Sequence, residues 1–301
     1  MPRKRAEIIR IPRIEDPRGN LSFIEHSAKG VLPFAPQRVY WIYDVPGGRE
    51  RHGHAFRRGE ELIVALSGSF DVVLTDPDGL EITHRLARSY YGVYVPAGTW
   101  RALRNFSSNS VAMVLSSTHY DADDYIEDFN EYITFAEAPE KDGETPSEAA
   151  AATCKPAPTA DSHLTSRLAD CRIIDLARHR HANGSLSVAQ NTPDHPFHIK
   201  RAFYLYDVPA GAERGGHSHF EAEELIMSVS GAFDVVLSDG AATRTFTLSR
   251  PYQALYVPAG IWRELNNFSG GSVCLVLTSE NYLEADYCRD PEEFKRLTAG
   301  K

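Results

Sequence analysis

The chain carries the same segment twice, and this duplication constrains its fold more than any other feature. Residues 38–56 read RVYWIYDVPGGRERHGHAF, and residues 201–220 read RAFYLYDVPAGAERGGHSHF. The copies continue as EELIVALSGSFDVVL and EELIMSVSGAFDVVL, and His217 follows His54 by 163 residues. A chain of 301 residues is long enough for two domains of about 150 residues, each with a core of its own. We therefore expect two homologous domains in tandem.

A segment of different composition separates the two copies. Residues 136–162 read AEAPEKDGETPSEAAAATCKPAPTADS, which is rich in Ala, Pro, Glu and Thr and lacks an apolar period. Such a composition is typical of a linker. We place the first domain at residues 1–135, the linker at 136–165 and the second domain at 166–301.

Short apolar runs within each repeat predict strands. LIVAL, FDVVLTD, YGVYVPAG and VAMVLSS in the first repeat are matched by LIMSV, FDVVLSD, ALYVPAG and VCLVLTS in the second. Turn residues punctuate these runs every eight to twelve residues or so, which favours an all-β sandwich or small barrel. We expect helix only at the repeat ends, around residues 121–132 and in PEEFKRL at 291–297.

The overall charge argues against nucleic acid and membranes as partners. The net charge is −9 with a pI near 5.7, and neither repeat has a sustained run of Lys or Arg. No apolar run approaches the roughly 20 residues of a membrane-spanning helix, and charged residues follow the opening PRKR directly, unlike a secretory signal. We expect a cytoplasmic protein that binds neither nucleic acid nor membranes.

A histidine-rich motif recurs at fixed spacing. The second repeat has Gly211, His217, His219, Glu224 and Gly231, which is G-x5-H-x-H-x4-E-x6-G, followed by PAG and an asparagine; the first repeat has the same pattern with Phe56 in place of the second histidine. This pattern resembles the two motifs of the cupin superfamily. The resemblance implies two tandem cupin domains, each a jelly-roll-like antiparallel β-barrel with a central ligand pocket.

The position of the last metal ligand is changed in both repeats. Metal-binding cupins hold their ion with the two histidines, the glutamate and a histidine of the second motif, whereas here the last position is Arg263, and Arg101 in the first repeat. A guanidinium stays protonated and has no lone pair to donate. We therefore predict no metal and favour an anion, either a phosphate or an enolate oxygen. A metal on the three remaining ligands of the second repeat is the alternative.

Further motifs of the chain resemble those of one family of cupins, the sugar-nucleotide 3,4-ketoisomerases. They are DPRGNLSFIE, R-x-Y-x-x-Y-D, RGGHSH, VPAGxWR and the ending Y-x-x-x-DY, whose tyrosines and aspartates we interpret as strand-to-helix junctions. The resemblance implies metal-independent, cofactor-free conversion of dTDP-4-keto-6-deoxyglucose into its 3-keto isomer. Family members pair as dimers of one-domain chains, so this chain is expected to be an intrachain pseudo-dimer, with a homodimer of the whole chain left open.

The resemblance also implies the site residues. The H-x-H pair of the family performs proton transfer, which an imidazole with a pKa near neutral can do. The candidate catalytic residues are His217, His219 and, in the incomplete first repeat, His54. The candidate substrate-binding residues are Arg18, Arg38, Tyr40, Tyr43, Arg101, Arg201, Tyr206, Glu224 and Arg263. For Arg38 and Arg201 an ion pair with a nearby carboxylate is an equal alternative.

The two repeats depart from the family in opposite ways. The first repeat keeps Arg18 before Gly19 but lacks the second histidine, while the second repeat has Asn183 before Gly184 and keeps both histidines. If the halves exchange their N-terminal strands, Arg18 could complete the pocket of His217. Two other functions stay open: a metal-dependent cupin enzyme, and a sugar-nucleotide-binding double cupin without catalysis.

Overall fold

The computed structural model describes residues 4–28, 30–138 and 164–299, and antiparallel strands make up most of their regular secondary structure. The first repeat contains β1 Glu7–Arg10, β2 Arg13–Ile14, β3 Asn20–Glu25, β4 Arg38–Tyr43, β5 Arg51–Phe56, β6 Glu61–Ser67, β7 Phe70–Thr75, β8 Glu81–Leu86, β9 Tyr91–Val95, β10 Trp100–Arg104, β11 Val111–Ser116, β12 Tyr125–Ile126 and helix α1 Phe129–Glu137. The second contains β13 Arg172–Asp175, β14 Ala177–His181, β15 Gly184–Gln190, β16 Arg201–Tyr206, β17 Arg214–His219, β18 Glu224–Ser230, β19 Phe233–Ser238, β20 Thr243–Leu248, β21 Gln253–Val257, β22 Trp262–Asn266, β23 Val273–Thr278, β24 Tyr287–Cys288 and helix α2 Pro291–Thr298. Single 3-10 turns lie at Ala122–Asp124, Leu168–Asp170 and Glu284–Asp286.

The helices lie at the ends of the repeats, as predicted. Helix α2 coincides with PEEFKRL and begins at a proline after Asp290, whose side chain accepts a hydrogen bond from the backbone N–H of Glu292. Helix α1 begins only at Phe129, because residues 125–126 pair with β5 as a strand. It runs two residues into the predicted linker, and residues 139–163 of that linker lie outside the described residues. Neither helix has the length and apolar character that crossing a bilayer requires.

Each barrel consists of a seven-stranded sheet facing a five-stranded sheet. The first barrel has the orders β1-β9-β6-β11-β4-β15-β14 and β12-β5-β10-β7-β8. The second has β13-β21-β18-β23-β16-β3-β2 and β20-β19-β22-β17-β24. The prediction of an all-β chain with two tandem cupin barrels is confirmed.

The two repeats exchange strands. Strands β2 and β3 of the first repeat complete the second barrel, and strands β14 and β15 of the second repeat complete the first. In the second barrel Asn20 lies opposite Tyr206, and in the first Ser185 lies opposite Tyr43, so the two exchanges have the same register. The domain boundaries predicted from the order of the repeats therefore do not describe which residues build each barrel.

The acceptor strands of the exchange are buried on both faces. Along β4, Tyr40 and Ile42 face the interior of the first barrel, while Trp41 and Tyr43 lie in a core shared by the two barrels. The indole N–H of Trp41 donates across this shared core to the carbonyl of Pro251, at 2.7 Å. Burial on both faces explains why the strand is almost continuously apolar instead of alternating.

Glycine is required where each exchanged strand begins. Gly19 has φ +113° and Gly184 has φ +117°, a conformation that side chains with a Cβ rarely adopt. A Cβ on Gly19 would lie 2.7 Å from Val208, and one on Gly184 would lie 2.9 Å from Val45. These glycines let the exchanged segments pass close to the other repeat.

Candidate active site

Two histidines of strand β17 face the interior of the second barrel. His217 and His219 are two residues apart, so both side chains project from the same face of the strand. Their ring centroids are 5.0 Å apart with an interplanar angle of 90°. The side chains are 7% and 4% exposed, so the imidazoles are well shielded from bulk water.

His219 is held by a carboxylate from the end of the repeat. Its Nδ1 lies 2.8 Å from Oδ2 of Asp286, and its Nε2 lies 3.4 Å from Oε1 of Glu224. Burial alone would disfavour the charged imidazole, but the hydrogen bond to Asp286 and the charge of Glu224 outweigh it, so the pKa of His219 is raised. His219 is therefore suited to carry a proton on the nitrogen that faces the barrel interior.

His217 has the opposite character. Neither of its ring nitrogens has a hydrogen-bond partner among the described residues. Burial, together with the positive charges of Arg263 and His219, holds the pKa of His217 well below 6.5. A neutral buried imidazole with two unused nitrogens can act as a general base, and its unmet hydrogen bonds are those a ligand would supply.

Glu224 forms a closed ion pair with Arg263. Nη2 of Arg263 donates to Oε1 at 2.8 Å, and its Nε donates to Oε2, with both residues buried. Burial alone would raise the pKa of Glu224, but Arg263 outweighs it and holds the pKa well below its usual range. Both charges of this pair are therefore satisfied within the protein.

The same residues fit a divalent metal poorly. One ligand atom from each of His217, His219 and Glu224 lies within 4.8 Å of the others, a spacing that could surround an ion. However, both oxygens of the carboxylate are bound by Arg263, which also places a permanent positive charge at the fourth ligand position. The side chains therefore favour acid–base chemistry over metal coordination.

Arg201 is a buried arginine of the second barrel whose charge meets no carboxylate among the described residues. It is 3% exposed, and Nη2 donates to the hydroxyl of Tyr287 at 3.2 Å. Within residues 4–28, 30–138 and 164–299, Nε has no partner and no carboxylate forms an ion pair with this arginine. Among the described residues the alternative of a structural ion pair is thus not found, and Arg263 already occupies Glu224. The ring of Tyr287 packs against both catalytic candidates, 4.9 Å from His217 and 4.4 Å from His219.

In the first barrel a tyrosine hydroxyl, and not a histidine, lies beside the buried glutamate. Arg101 pairs with Glu61, but Nε and Nη2 both donate to Oε2, at 2.9 and 2.7 Å, whereas Arg263 binds both oxygens of Glu224. The hydroxyl of Tyr40 donates to Oε1 of Glu61 at 2.6 Å, whereas the second barrel has phenylalanine at the position of Tyr40 and presents a histidine to that oxygen. Burial, followed by the charge of Glu61, raises the pKa of Tyr40 well above its usual value, so the phenol stays protonated.

The first barrel keeps the aspartate that would orient a second imidazole. Asp124 is 1% exposed and accepts hydrogen bonds from the backbone N–H groups of Arg58 and Gly59, at 2.8 and 3.0 Å. In the second barrel Asp286 accepts two corresponding backbone bonds and also binds His219. Phe56 cannot accept or donate a proton, so the acid–base arrangement is incomplete in the first barrel.

The exchanged segments place different residues at the two barrel rims. In the second barrel Asp16 lies 3.3 Å from Arg214 and accepts a bidentate contact from the side chain of Arg18, at 3.0 and 2.8 Å. In the first barrel Arg51 donates instead to the amide oxygen of Asn183, at 2.8 Å. Arg18 thus lies beside the barrel that contains both histidines, as the exchange hypothesis requires.

Two predicted substrate-binding tyrosines lie elsewhere. Tyr43 contacts the hydroxyl of Ser187 at 3.0 Å, and Tyr206 contacts that of Ser22 at 3.1 Å, both in the core shared by the barrels. They face away from the histidines because they lie an odd number of residues from Tyr40 and Phe203 on their strands. Tyr43 and Tyr206 are therefore not part of the proposed site; they fasten the exchanged strands.

Two site residues were missed at the sequence level. Asp286 and Tyr287 belong to the repeated Y-x-x-x-DY ending, which we interpreted as a structural junction. Strand β24 pairs with β17 and brings Tyr287 opposite His219, which also sets Asp286 beside the imidazole. The repetition of a buried acidic residue after the last strand was the available signal.

Fold and site together define a double cupin with one complete histidine pair. The chain belongs to the family described as FdtA: WxcM-like, C-terminal, which matches residues 4–137 and 169–299. Both repeats are thus members, and the resemblance to the sugar-nucleotide 3,4-ketoisomerases is confirmed.

Similar proteins are about as long as one repeat. The TDP-4-oxo-6-deoxy-alpha-D-glucose-3,4-oxoisomerase of Aneurinibacillus thermoaerophilus is 34% identical over 128 residues, which cover 42% of this chain and 92% of that protein. Among solved structures, a 3,4-ketoisomerase from Helicobacter canadensis is 37% identical with a TM-score of 0.42, covering 43% of this chain and 97% of that one. QdtA, a sugar 3,4-ketoisomerase from Thermoanaerobacterium thermosaccharolyticum in complex with TDP, is 30% identical with a TM-score of 0.42, covering 43% and 95%.

Proposed function

We propose that this chain is an isomerase that converts TDP-4-keto-6-deoxyglucose into a TDP-3-keto-6-deoxyhexose within its second barrel. The observation that carries the proposal is the pair of unlike imidazoles: His219 is held by Asp286, 2.8 Å away, while both nitrogens of His217 lack partners among the described residues. Moving a ketone between adjacent carbons needs one group that takes a proton and one that gives a proton. The two histidines meet these needs.

The first half of the reaction forms an enediol. Neutral His217 removes the proton from C3, the electron pair of that C–H bond forms the C3=C4 double bond, and the carbonyl electrons move onto O4. Protonated His219 gives its Nε2 proton to O4. The intermediate is a neutral enediol, with His217 charged and His219 neutral, and no oxidant or reductant is needed.

The second half reverses these roles at the neighbouring carbon. His219 removes the proton from the hydroxyl at C3, the C3=O3 carbonyl forms, and the C3=C4 electron pair takes a proton at C4 from His217. Both histidines return to their starting charges. The same two side chains thus serve as acid and base in each direction, which general acid–base catalysis allows.

The arginines of the barrel have separate tasks in this mechanism. Arg263 neutralises Glu224 and so fixes the carboxylate that faces His219. Arg201, whose charge meets no carboxylate among the described residues, is available to stabilise negative charge on the sugar oxygens. The mechanism therefore uses a cation where other cupins use a metal.

Binding of the nucleotide is assigned to the rim. Arg18 comes from the exchanged segment of the first repeat and has a side chain 64% exposed, next to Arg214 of strand β17. Two arginines around one aspartate leave a net positive charge, which suits the diphosphate of a TDP-sugar. The exchange makes the chain a pseudo-dimer, in which the second barrel needs a residue of the first repeat; a homodimer of the whole chain stays a prediction.

The direct test is an NMR assay of the purified protein with TDP-4-keto-6-deoxyglucose in D2O. We expect signals of a 3-keto product and incorporation of deuterium at the carbon that is protonated. His219→Asn should abolish both signals, whereas His54→Asn, the same change near the incomplete site, should retain them. Absence of product from the unaltered protein would refute the proposed reaction, and loss of activity only in His54→Asn would place the chemistry in the first barrel.

A further inference from the structure

The aromatic rings inside the first barrel have the same arrangement as the corresponding rings inside the second barrel. The centroids of His54 and Phe56 are 5.0 Å apart at 85°, and those of Phe56 and Tyr125 are 4.5 Å apart. The corresponding separations in the second barrel are 5.0 and 4.4 Å. The rings around Phe56 therefore have the same spacing as those around His219.

The first barrel also keeps its unneutralised arginine. Arg38 is 3% exposed and donates from Nη2 to Tyr125 at 3.2 Å. Its Nε has no partner and it forms no ion pair with a carboxylate in the part of the chain that the structure describes. A buried guanidinium without a counterion is costly, so an anionic ligand is the expected compensation.

A second arginine adds to this positive charge. Arg51 is half-buried, and burial and the nearby charge of Arg101 lower its pKa. The exchanged segment offers Arg51 a neutral partner, Asn183, where the second barrel has an aspartate. Since Arg101 pairs with Glu61, the first barrel has one positive charge in its interior, from Arg38, and one at its rim, from Arg51, and neither forms an ion pair with a carboxylate among the described residues. Two such charges match a diphosphate.

We propose that the first barrel is a second sugar-nucleotide site, which binds a TDP-sugar without converting it. This inference rests on the proposed function for the class of ligand. The ring of Phe56 fills the place of the proton-donating imidazole, so the ligand held there lacks the acid that the reaction needs. His54 is partly exposed although it lies inside the barrel, so a ligand can reach the interior.

The test counts the TDP molecules bound by one chain. Isothermal titration of the full chain with TDP should give two per chain. Arg38→Met/Arg51→Met should bind one, and the mirrored variant Arg201→Met/Arg214→Met should also bind one. Circular dichroism shows whether each variant is folded. If the first-barrel variant unfolds, the count for the unaltered protein decides: two supports the second site and one overturns it.

The outcomes separate this inference from the proposed function. A folded Arg38→Met/Arg51→Met variant that binds as much TDP as the unaltered chain overturns the second site. Two bound TDP molecules without turnover in the NMR assay would refute the reaction and leave the second site standing. Turnover with a single bound TDP would do the reverse.

Discussion

The carboxylate of Asp286 lies 2.8 Å from Nδ1 of His219, although 67 residues separate them along the chain. Strand β24 makes this contact possible by pairing with the strand that bears the histidine. The contact fixes which ring nitrogen faces the barrel interior and raises the pKa of the imidazole against the effect of burial. It gives one of two neighbouring histidines the character of an acid.

Replacing Asp286 by asparagine should therefore impair the acid. We expect kcat for the TDP-sugar to fall by roughly 10²-fold, because general acid–base catalysis contributes at least that much. Without the carboxylate the pKa of His219 falls, so the alkaline limb of the rate profile should move to lower pH. Asp124→Asn makes the same change to an aspartate that accepts the corresponding backbone hydrogen bonds in the first barrel and is the matched control. Equal loss of kcat in both variants would show that Asp286 acts only structurally.

The pH dependence of the unaltered protein should have two limbs. His217 must be neutral, and its pKa is lowered below 6.5, so activity is lost only at acid pH as this group becomes protonated. His219 must be charged, and its pKa is raised above 6.5, so activity is lost at alkaline pH as this group loses its proton. A plot of kcat/KM against pH, which reports the free enzyme, should have an acid limb below 6.5 and an alkaline limb above it. A rate that keeps rising with pH would contradict the assignment of His219 as acid.

The first barrel should become catalytic when its missing imidazole is supplied. Phe56→His with Tyr40→Phe copies the second barrel: the new imidazole gains Asp124, and Glu61 loses its competing phenol donor. In a chain silenced by His217→Asn/His219→Asn, we expect this pair of changes to restore measurable 3-keto product in the NMR assay. Phe56→Leu in the same background is the control and should stay silent. A restored chain that binds TDP twice yet yields no product would show that the two barrels differ in more than these side chains.

Arg263→His should convert the second barrel into a metal site. The change supplies a fourth ligand beside His217, His219 and Glu224 and removes the guanidinium that occupies the carboxylate. Elemental analysis after dialysis against Zn²⁺ should find about one ion per chain in this variant and far less in the unaltered protein. Arg101→His is the control and should bind little metal, because the first barrel has Phe56. A tightly bound metal in the unaltered protein that turnover requires would favour a metal-dependent enzyme instead.

Arg18→Ala should weaken substrate binding by the second barrel. A charge-assisted hydrogen bond contributes about 1.5–3 kcal/mol, so KM for the TDP-sugar should rise about tenfold or more while kcat stays close to its original value. The exposed contact of Arg18 with Asp16 contributes little to folding, so the melting temperature should hardly change. Asn183→Ala changes the corresponding position of the first barrel and should leave KM unaltered. Full activity and unchanged KM in Arg18→Ala would exclude this arginine from the site.

Much of the architecture could be predicted from two features of the sequence, the duplication and the spacing of the motif residues. The duplication gave the number of barrels, and the spacing of His217, His219 and Glu224 placed three site residues on two consecutive strands, β17 and β18, which lie in the two facing sheets of one barrel. Pairing partners are harder to predict, because β3 would suit either barrel by its local pattern. The topology of the exchange therefore needed the structure.

The errors at the site have a similar cause. Tyr40 and Tyr43 looked alike as strand tyrosines, but their separation by three residues places them on opposite faces, one inside the barrel and one in the shared core. Asp286 was missed because its role depends on a contact distant in sequence. The similarity between the repeats identified the important motifs, and the geometry of the structure showed which residues lie in the site.

The exchange of β2 and β3 against β14 and β15 ties two unequal sites into one molecule. If the repeats were separate chains, two first repeats or two second repeats could pair with each other. A barrel could then receive the wrong rim residue. Covalent linkage supplies each barrel with its own complement at any dilution, since the partner segment travels on the same polypeptide. The first repeat can then contribute Arg18 while the second contributes both histidines. Separate subunits that exchange freely could not maintain this pairing.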